Sequence, residues 1–196
     1  MRARETFGTS GPHIEPRFFA GWNLPEDICR TNSFLKQSYA EGVPMGSIIK
    51  KVDGKTSSPV FVASAVRDPN EGSTPLQKLQ IVKGWIDKKG NTHQRVFDVA
   101  GGDMRATVDT SNCSQSGTGY NQLCTTWTDP DFSPDISGVY YLRVLENPSC
   151  RWSQFDCLNL DPKTRPKTCS DPSVPSVIQE RAWTSPIWYY SKIGHE

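Results

Sequence analysis

Three histidines, a run of aspartates, six cysteines and a set of tryptophans are the residues of this chain whose types could carry chemistry. His13, His93 and His195 lie far apart, and none stands in an H-x-H, H-x-x-x-H or His-Cys arrangement. A catalytic transition metal takes about three clustered protein ligands, so no metal or other cofactor is expected on this chain. His93 falls beside a predicted hairpin turn and reads as a solvated side chain, and His195 falls in a terminal tail. His13 follows Thr9-Ser-Gly-Pro12. A turn of small residues either simply reverses the chain or lines the rim of a cleft, and Thr9, Ser10 and His13 are the candidate rim. Asp129, Asp131 and Asp135 begin like a calcium loop, because hard cations want several carboxylate oxygens together. Pro134 stands where that loop has glycine and Tyr140 where it has a bidentate glutamate, which favours a rigid Asp-Pro turn.

Trp22, Trp127, Trp152, Trp183 and Trp188 either pack in the core or form an aromatic platform for a sugar ring, and burial of so much apolar area favours the core. Glu146, Arg143, Arg151, Glu180 and Arg181 read as ion pairs within or across strands, since paired carboxylates for hydrolysis need a cleft. No G-x-S-x-G, no phosphate-binding glycine loop and no isolated Cys with a His partner is present.

Cys29, Cys113, Cys124, Cys150, Cys157 and Cys169 are an even number in turn-rich sequence without a C-x-x-C pair. Disulfides are therefore favoured over free thiols or a metal site. At least two are expected, with Cys113–Cys124 and Cys150–Cys157 the preferred local pairs and Cys169 competing for Cys157, although spacing alone does not fix connectivity. Disulfides imply a periplasmic or extracellular protein. The start Met1-Arg-Ala-Arg-Glu-Thr-Phe-Gly8 is charged and has no apolar run behind it, so the export signal is expected on a longer N-terminal part.

Lys and Arg number 22 against 21 Asp and Glu, which supplies no global field for nucleic acid or anionic lipid. No apolar run reaches the roughly 18 residues of a membrane span. An aromatic content of 10% with 15 Gly and 15 Pro fits many short strands joined by turns.

Along the chain, residues 1–6 read as the end of a polar helix, 17–22 as a first strand, and 32–41 as a short helix with Asn32 as N-cap and Gly42 as its stop. Residues 59–66 form an apolar run suited to a strand buried on both faces. Residues 78–86 and 92–99 flank a glycine-bearing turn and predict a hairpin. Residues 125–128 and 138–145 are further strands, and 157–175 an irregular loop. Residues 182–190 are a last strand interrupted by Pro186, which argues for an edge or a bulge. The fold class is mostly β, with sandwich-like antiparallel sheets and one or two short helices near the N-terminus.

The blocks Arg4-Glu-Thr-Phe-Gly-Thr-Ser-Gly-Pro12, Arg17-Phe-Phe-Ala-Gly-Trp22, Gly42-Val-Pro-Met-Gly46, Leu79-Gln-Ile-Val-Lys-Gly-Trp85, Trp127-Thr-Asp-Pro-Asp-Phe132, Tyr141-Leu-Arg-Val-Leu-Glu-Asn147, Arg151-Trp152 and Gln179-Glu-Arg-Ala-Trp-Thr-Ser-Pro-Ile-Trp-Tyr189 together resemble the C-terminal part of a bacterial family, domain of unknown function 3604. The stretch from Cys150 to Cys169 is similar to a cysteine-bearing subset of it. Full-length relatives look like PHP (polymerase and histidinol phosphatase) metallohydrolases, with a histidine-rich barrel that begins in an H-x-H motif. That motif is not in this chain, so no metal ligand carries over, and His13 stands where arginine is expected. The resemblance implies three parts. Residues 1–16 are the end of a barrel domain and its linker, 17–190 a β-rich accessory domain, and 191–196 a tail. Trp22 would then sit at the domain junction. A divalent metal and phosphoesterase-like activity are expected only in full-length relatives, and the partner of this chain is the missing barrel. The alternative is an independent carbohydrate-binding module; a metal-independent enzyme is a distant third.

Overall fold

The computed structural model describes residues 2–70, 72–103 and 105–191. In chain order the elements are β1 (Phe7–Thr9), β2 (Glu15–Gly21), α1 (Phe34–Glu41), β3 (Val43–Pro44), β4 (Ile48–Lys50), β5 (Val60–Val66), β6 (Leu76–Ile86), β7 (Thr92–Gly101), β8 (Thr107–Asp109) and β9 (Ser114–Ser116). They continue with β10 (Gln122–Thr128), β11 (Gly138–Cys150), α2 (Trp152–Asn159), β12 (Val177–Thr184) and β13 (Ile187–Tyr190). The strands build a seven-stranded sheet centred on β11 and a four-stranded sheet in the order β10-β5-β2-β3, with β8 and β9 as a separate hairpin. All pairings are antiparallel except β13 with β4. The mostly-β reading therefore holds.

The sheets pack face to face. Phe18, Phe61, Ala63 and Ala65 from the smaller sheet meet Leu79, Ile81, Leu142 and Val144 from the larger, all fully buried. Phe61 lies 4.5 Å from the Tyr140 ring centroid and 5.7 Å from Phe18. The run in β5 is buried on both faces, as its sequence predicts. Its second face carries Val62, which joins Phe19, Leu24 and Ile28 in a separate cluster. Those residues are roofed by the 3-10 turn Ile28–Arg30 and by α1, from which Tyr39 meets the Phe19 ring edge-on at 4.9 Å.

Among the described residues no helix roofs the larger sheet in this way. Alternation along its strands sends Val82, Val96, Tyr141, Trp183, Ile48 and Trp188 to the side away from the core. Ile48, Val96 and Trp183 remain exposed there.

The hairpin of β6 and β7 closes as expected, with Trp85 opposite His93 and Gly90 at φ +87° in the turn. Pro186 does mark a bulge. Arg143 pairs Trp183 and Tyr140 pairs Ile187, so Tyr141 and Leu142 face three residues, Thr184, Ser185 and Pro186. The Thr184 hydroxyl accepts the Leu142 N–H at 3.0 Å. Two incoming segments close on this bulge. The Ser185 N–H donates to Thr6 O at 2.8 Å, and the Gly46 N–H donates to Pro186 O at 3.0 Å. Gly46 has φ +86°, and a Cβ there would collide with the Arg4 carbonyl, so only glycine fits.

Several expectations are corrected. Residues 2–6 are not helical, Arg4 has φ +54°, and 7–9 is a strand paired with β12. A strand created by a partner far along the chain overrides local propensity. Helix α1 begins at Phe34 with Ser33 at its N-cap, so Asn32 lies outside it, while Gly42 does end it, donating its N–H to Ser38 O at 3.0 Å. The second helix, α2, is not near the N-terminus but opens the excursion between β11 and β12. The supposed irregular loop also holds a 3-10 turn, Lys167–Ser170. The tail, 192–196, with His195, lies outside the described residues, as does Met1 of the supposed first helix. Among the described residues no helix is long and apolar enough to cross a membrane.

Three disulfides form, Cys29–Cys124, Cys113–Cys150 and Cys157–Cys169. The expected pairs Cys113–Cys124 and Cys150–Cys157 are corrected. Folding lays the 3-10 turn against β10, where Thr126 Oγ1 donates to Glu26 O at 2.9 Å, and so brings Cys29 to Cys124. The turn after β8 reaches the end of β11, which claims Cys150 for Cys113 and leaves Cys157 to Cys169, its weighed competitor. Peptide mapping without reduction should recover these three pairs. Replacing Cys29 and Cys124 by Ala should cost about 4–5 kcal/mol and replacing Cys157 and Cys169 about 3 kcal/mol, because the first closes the longer loop. Equal losses in urea unfolding would contradict this.

Candidate functional site

The residues singled out from sequence do not converge on one rim. Thr9 pairs with Ala182 on β12, and Ser10 follows it, donating its hydroxyl to Glu180 and its N–H to Arg181 O at 3.0 Å. His13 is exposed, and its N–H donates to Asp68 Oδ2 at 2.7 Å. Trp22 lies at the far end of seven-residue β2, about 23 Å of strand away. There its Nε1 donates to Lys50 O at 3.1 Å and its ring meets Phe132 and Tyr189 edge-on.

Beside His13 lies a network of buried polar groups. Asp68 also accepts from the Asn70 backbone and side chain, at 2.9 and 2.7 Å, and the His13 and Asn70 hydrogen bonds hold its carboxyl below the usual range. Glu146, buried in β11, accepts from Ser73 Oγ at 2.8 Å and from the Thr74 N–H and hydroxyl, both at 3.2 Å. Burial nonetheless pushes its carboxyl above the ordinary value. The ion pairs expected among Glu146, Arg143, Arg151, Glu180 and Arg181 are not formed. Arg143 instead donates Nε to Gln80 at 2.8 Å, and Arg181 donates Nε to Gln179 O at 3.0 Å.

The aspartate run is a rigid turn whose carboxylates point to three different cations. Buried Asp129 accepts from Lys83 Nζ at 2.5 Å and from the Tyr140 hydroxyl at 2.7 Å. Lys83 donates again to Asp131 O at 2.9 Å. Burial, and then the Asp129 charge, push the Tyr140 hydroxyl above its ordinary value and keep it a donor. Asp131 pairs with Arg95, and Asp135 pairs with Lys51 at 2.8 Å. Among the described residues no group of three or more His, Cys, Asp or Glu is placed to hold a metal ion.

An open groove of about 1090 Å³ lies where β6 and β13 end and β11 begins. Gly84, Ile86, Gly138, Val139, Trp188 and Tyr190 line it. Its margin is the hairpin turn at Asp87 and the segment 135–137. His93 stacks on Trp85 at 5.1 Å and shares a 2.9 Å hydrogen bond from Nε2 with Asp87 Oδ2. That bond and those from Asn91 hold the Asp87 carboxyl well below the usual range, and Lys51 does the same for Asp135. His93 is exposed, as expected, but engaged on both its ring face and its nitrogen.

The five tryptophans do not form one platform. Trp22 and Trp127 pack against the core, with Trp127 4.9 Å from Phe97. Trp152 is 82% exposed on α2, Trp183 stands on the open sheet face, and only Trp188 lines the groove. Ile86, Val139 and Tyr190 were missed because sequence gives no register between β6, β11 and β13. The alternation of Trp188 and Tyr190 was the one available sign.

A family model described as "Protein of unknown function (DUF3604)" matches residues 1–191. No curated protein matches the chain.

Lys83→Met should cost about 3–5 kcal/mol in denaturant unfolding, since it leaves Asp129 buried without its cation; calcium should leave the wild-type melting temperature unchanged. A loss below 1 kcal/mol, or a calcium-dependent rise, would contradict the turn's role. Glu146 gives a pH signature. Its raised pKa means that the folded chain takes up a proton more readily than the unfolded one, so a penalty present at neutral pH is relieved as pH falls through the folded pKa toward the ordinary value. Wild type should therefore gain stability relative to Glu146→Gln on acidification, measured as paired melting curves. A difference moving the other way would refute the assignment.

Proposed function

The chain belongs to the DUF3604 family of proteins of unknown function, and from that premise we propose that it is an accessory β domain serving a larger PHP-like metal-dependent hydrolase. In this reading the metal and the phosphoesterase-like chemistry reside in the barrel of the longer protein. The accessory domain buries one face of its large sheet against that barrel and helps to shape the cleft. The three disulfides support a periplasmic or extracellular protein. The near balance of charge argues against a nucleic-acid partner.

The observation that carries the reading is the unroofed face of the seven-stranded sheet. An outer sheet face in contact with water is ordinarily polar at alternate positions. Here Ile48, Val96, Trp183 and Tyr190 are exposed on it, and we read these apolar side chains as contacts for a partner. A polar row crosses the same face: Arg143 donates to Gln80, Gln80 donates Nε2 to Asp98 at 2.6 Å, and Lys78 donates to the other Asp98 oxygen at 2.9 Å. Such a fixed row gives an apolar contact its orientation. A second reading, an independent carbohydrate-binding module, is favoured by the groove beside Trp188 and Tyr190.

Hydrogen exchange compares this 196-residue chain with a longer family member that carries the H-x-H region. Amides around Trp183 and Val96 should be more protected in the longer protein. Trp183→Arg should leave the isolated chain within about 0.5 kcal/mol of wild type while weakening the protection in the longer one. The longer protein should hydrolyse an aryl phosphate in a chelator-sensitive way, and this chain should not. Equal exchange in both proteins, or chelator-resistant turnover by the short chain, would overturn the accessory reading.

A further inference from the structure

We propose that the groove between the β6–β7 turn and β13 binds a neutral pyranose unit within a longer oligosaccharide, with Tyr190 and Ile86 as its apolar contacts and Asp135 as a hydrogen-bond acceptor. The inference deepens the second reading and stands on two observations. The apolar side is available: Ile86 is 60% and Tyr190 46% exposed, and both line the groove with Trp188 and Val139. Gly84 and Gly138 also line the groove, and Val139 Cγ1 fills the space over Gly84, where a Cβ would come within 3.1 Å of it. The polar side is preorganised. Asp87 is fixed by Asn91 N–H at 2.9 Å, by Lys89 N–H at 2.8 Å and by His93, and Asp135 is fixed by Lys51. Asp135 keeps lone pairs for hydroxyl donors, because an ionised carboxylate accepts at about four sites, whereas the sites of Asp87 are filled once the Asn91 Nδ2 bond at 3.1 Å is added.

This combination selects the ligand class. A pyranose ring has a C–H face that packs on an aromatic or aliphatic wall and an equatorial belt of hydroxyls that donate to fixed acceptors. An anionic ligand, such as a phosphate or a uronate, would meet two carboxylates held ionised; the nearby cations among the described residues are Lys88 at the groove margin and Lys51, which is paired with Asp135. A purely apolar ligand would partly desolvate Asp135 without supplying it a further donor. The groove is open along its length rather than enclosed, so it suits an internal unit of a chain more than a buried monosaccharide. It sits at one end of the unroofed sheet face, where a docked domain would add a second wall.

The probes are cellohexaose, xylohexaose and mannohexaose, with a tri-galacturonate as the anionic control, titrated into the intact chain by calorimetry and tryptophan fluorescence. At least one neutral hexasaccharide should bind saturably, and the uronate should not. Tyr190→Ala should weaken binding at least about tenfold, and Asp135→Asn should weaken it less. Trp152→Ala, on exposed α2, should bind like wild type. Ile86→Asp, at an exposed hairpin position that tolerates substitution, should abolish binding with an unchanged melting temperature and covers the case in which Tyr190→Ala fails to fold. Absence of binding by all three neutral probes, preference for the uronate, or binding lost in Trp152→Ala but kept in Ile86→Asp would each overturn the proposal. None of these results changes the exchange protection that tests domain docking, so the two ideas fail separately.

Discussion

β11 is thirteen residues long and has neighbours on both edges, with buried backbone along most of its length. A buried N–H or C=O left unpaired costs about 1–3 kcal/mol, so both edges must be matched along their length. One edge is matched by β6 from Gly138 to Glu146. The other must be covered by the chain from 177 to 190, which contains Pro186 and cannot supply an unbroken row of donors. The bulge at Ser185 and Pro186 resolves the conflict by adding one residue opposite Tyr141 and Leu142 and by letting the Thr184 side chain take the Leu142 N–H. The bulge in turn leaves Ser185 N–H and Pro186 C=O facing outward. Thr6 and Gly46 satisfy them, which recruits the N-terminal segment and β4 to the sheet. Pro148 lies beyond Glu146, where pairing with β6 ends and Asn147 bonds to Pro75 instead, and the β11–β12 register shifts between Leu145 and Pro148 as well.

What could be read in the sequence follows the range over which each feature is decided. The β6–β7 hairpin, the doubly buried β5, the end of α1 at Gly42 and the break at Pro186 are settled by residues within a few positions of one another, and all were legible. The strand at 7–9 was not, since its ladder partner is at 182–184 and its own residues, Phe7, Gly8 and Thr9, carry no period. The disulfides failed for the same reason: proximity in sequence favoured Cys113–Cys124, but the roof over β5 carries Cys29 to β10. Asp129, Asp131 and Asp135 were legible as a turn but not as three separate ion pairs. Lys83, the residue that takes Asp129 into the core, is 46 positions away. The groove was the least legible feature, because it exists only through the register that sets Gly84 opposite Val139.

The contrast between the two outer faces carries the functional argument. The smaller sheet spends a helix, a 3-10 turn and a disulfide on covering Val62 and Phe19. On the larger sheet, Trp183, Val96 and Ile48 are 37–40% exposed, so each forgoes part of the roughly 1.5–3 kcal/mol that full burial of a large side chain supplies. That stabilisation is not required for folding, since the sandwich core, the second cluster and three disulfides already lie elsewhere. Residues kept apolar without serving the fold are free to serve a contact, and the ordered row of Arg143, Gln80 and Asp98 would let a partner surface seat in one orientation. Ile86 and Tyr190 stand on the same face at the end where the groove opens. A domain seated over Trp183 and Val96 and a ligand held at Ile86 and Tyr190 would therefore share one rigid sheet as their common wall.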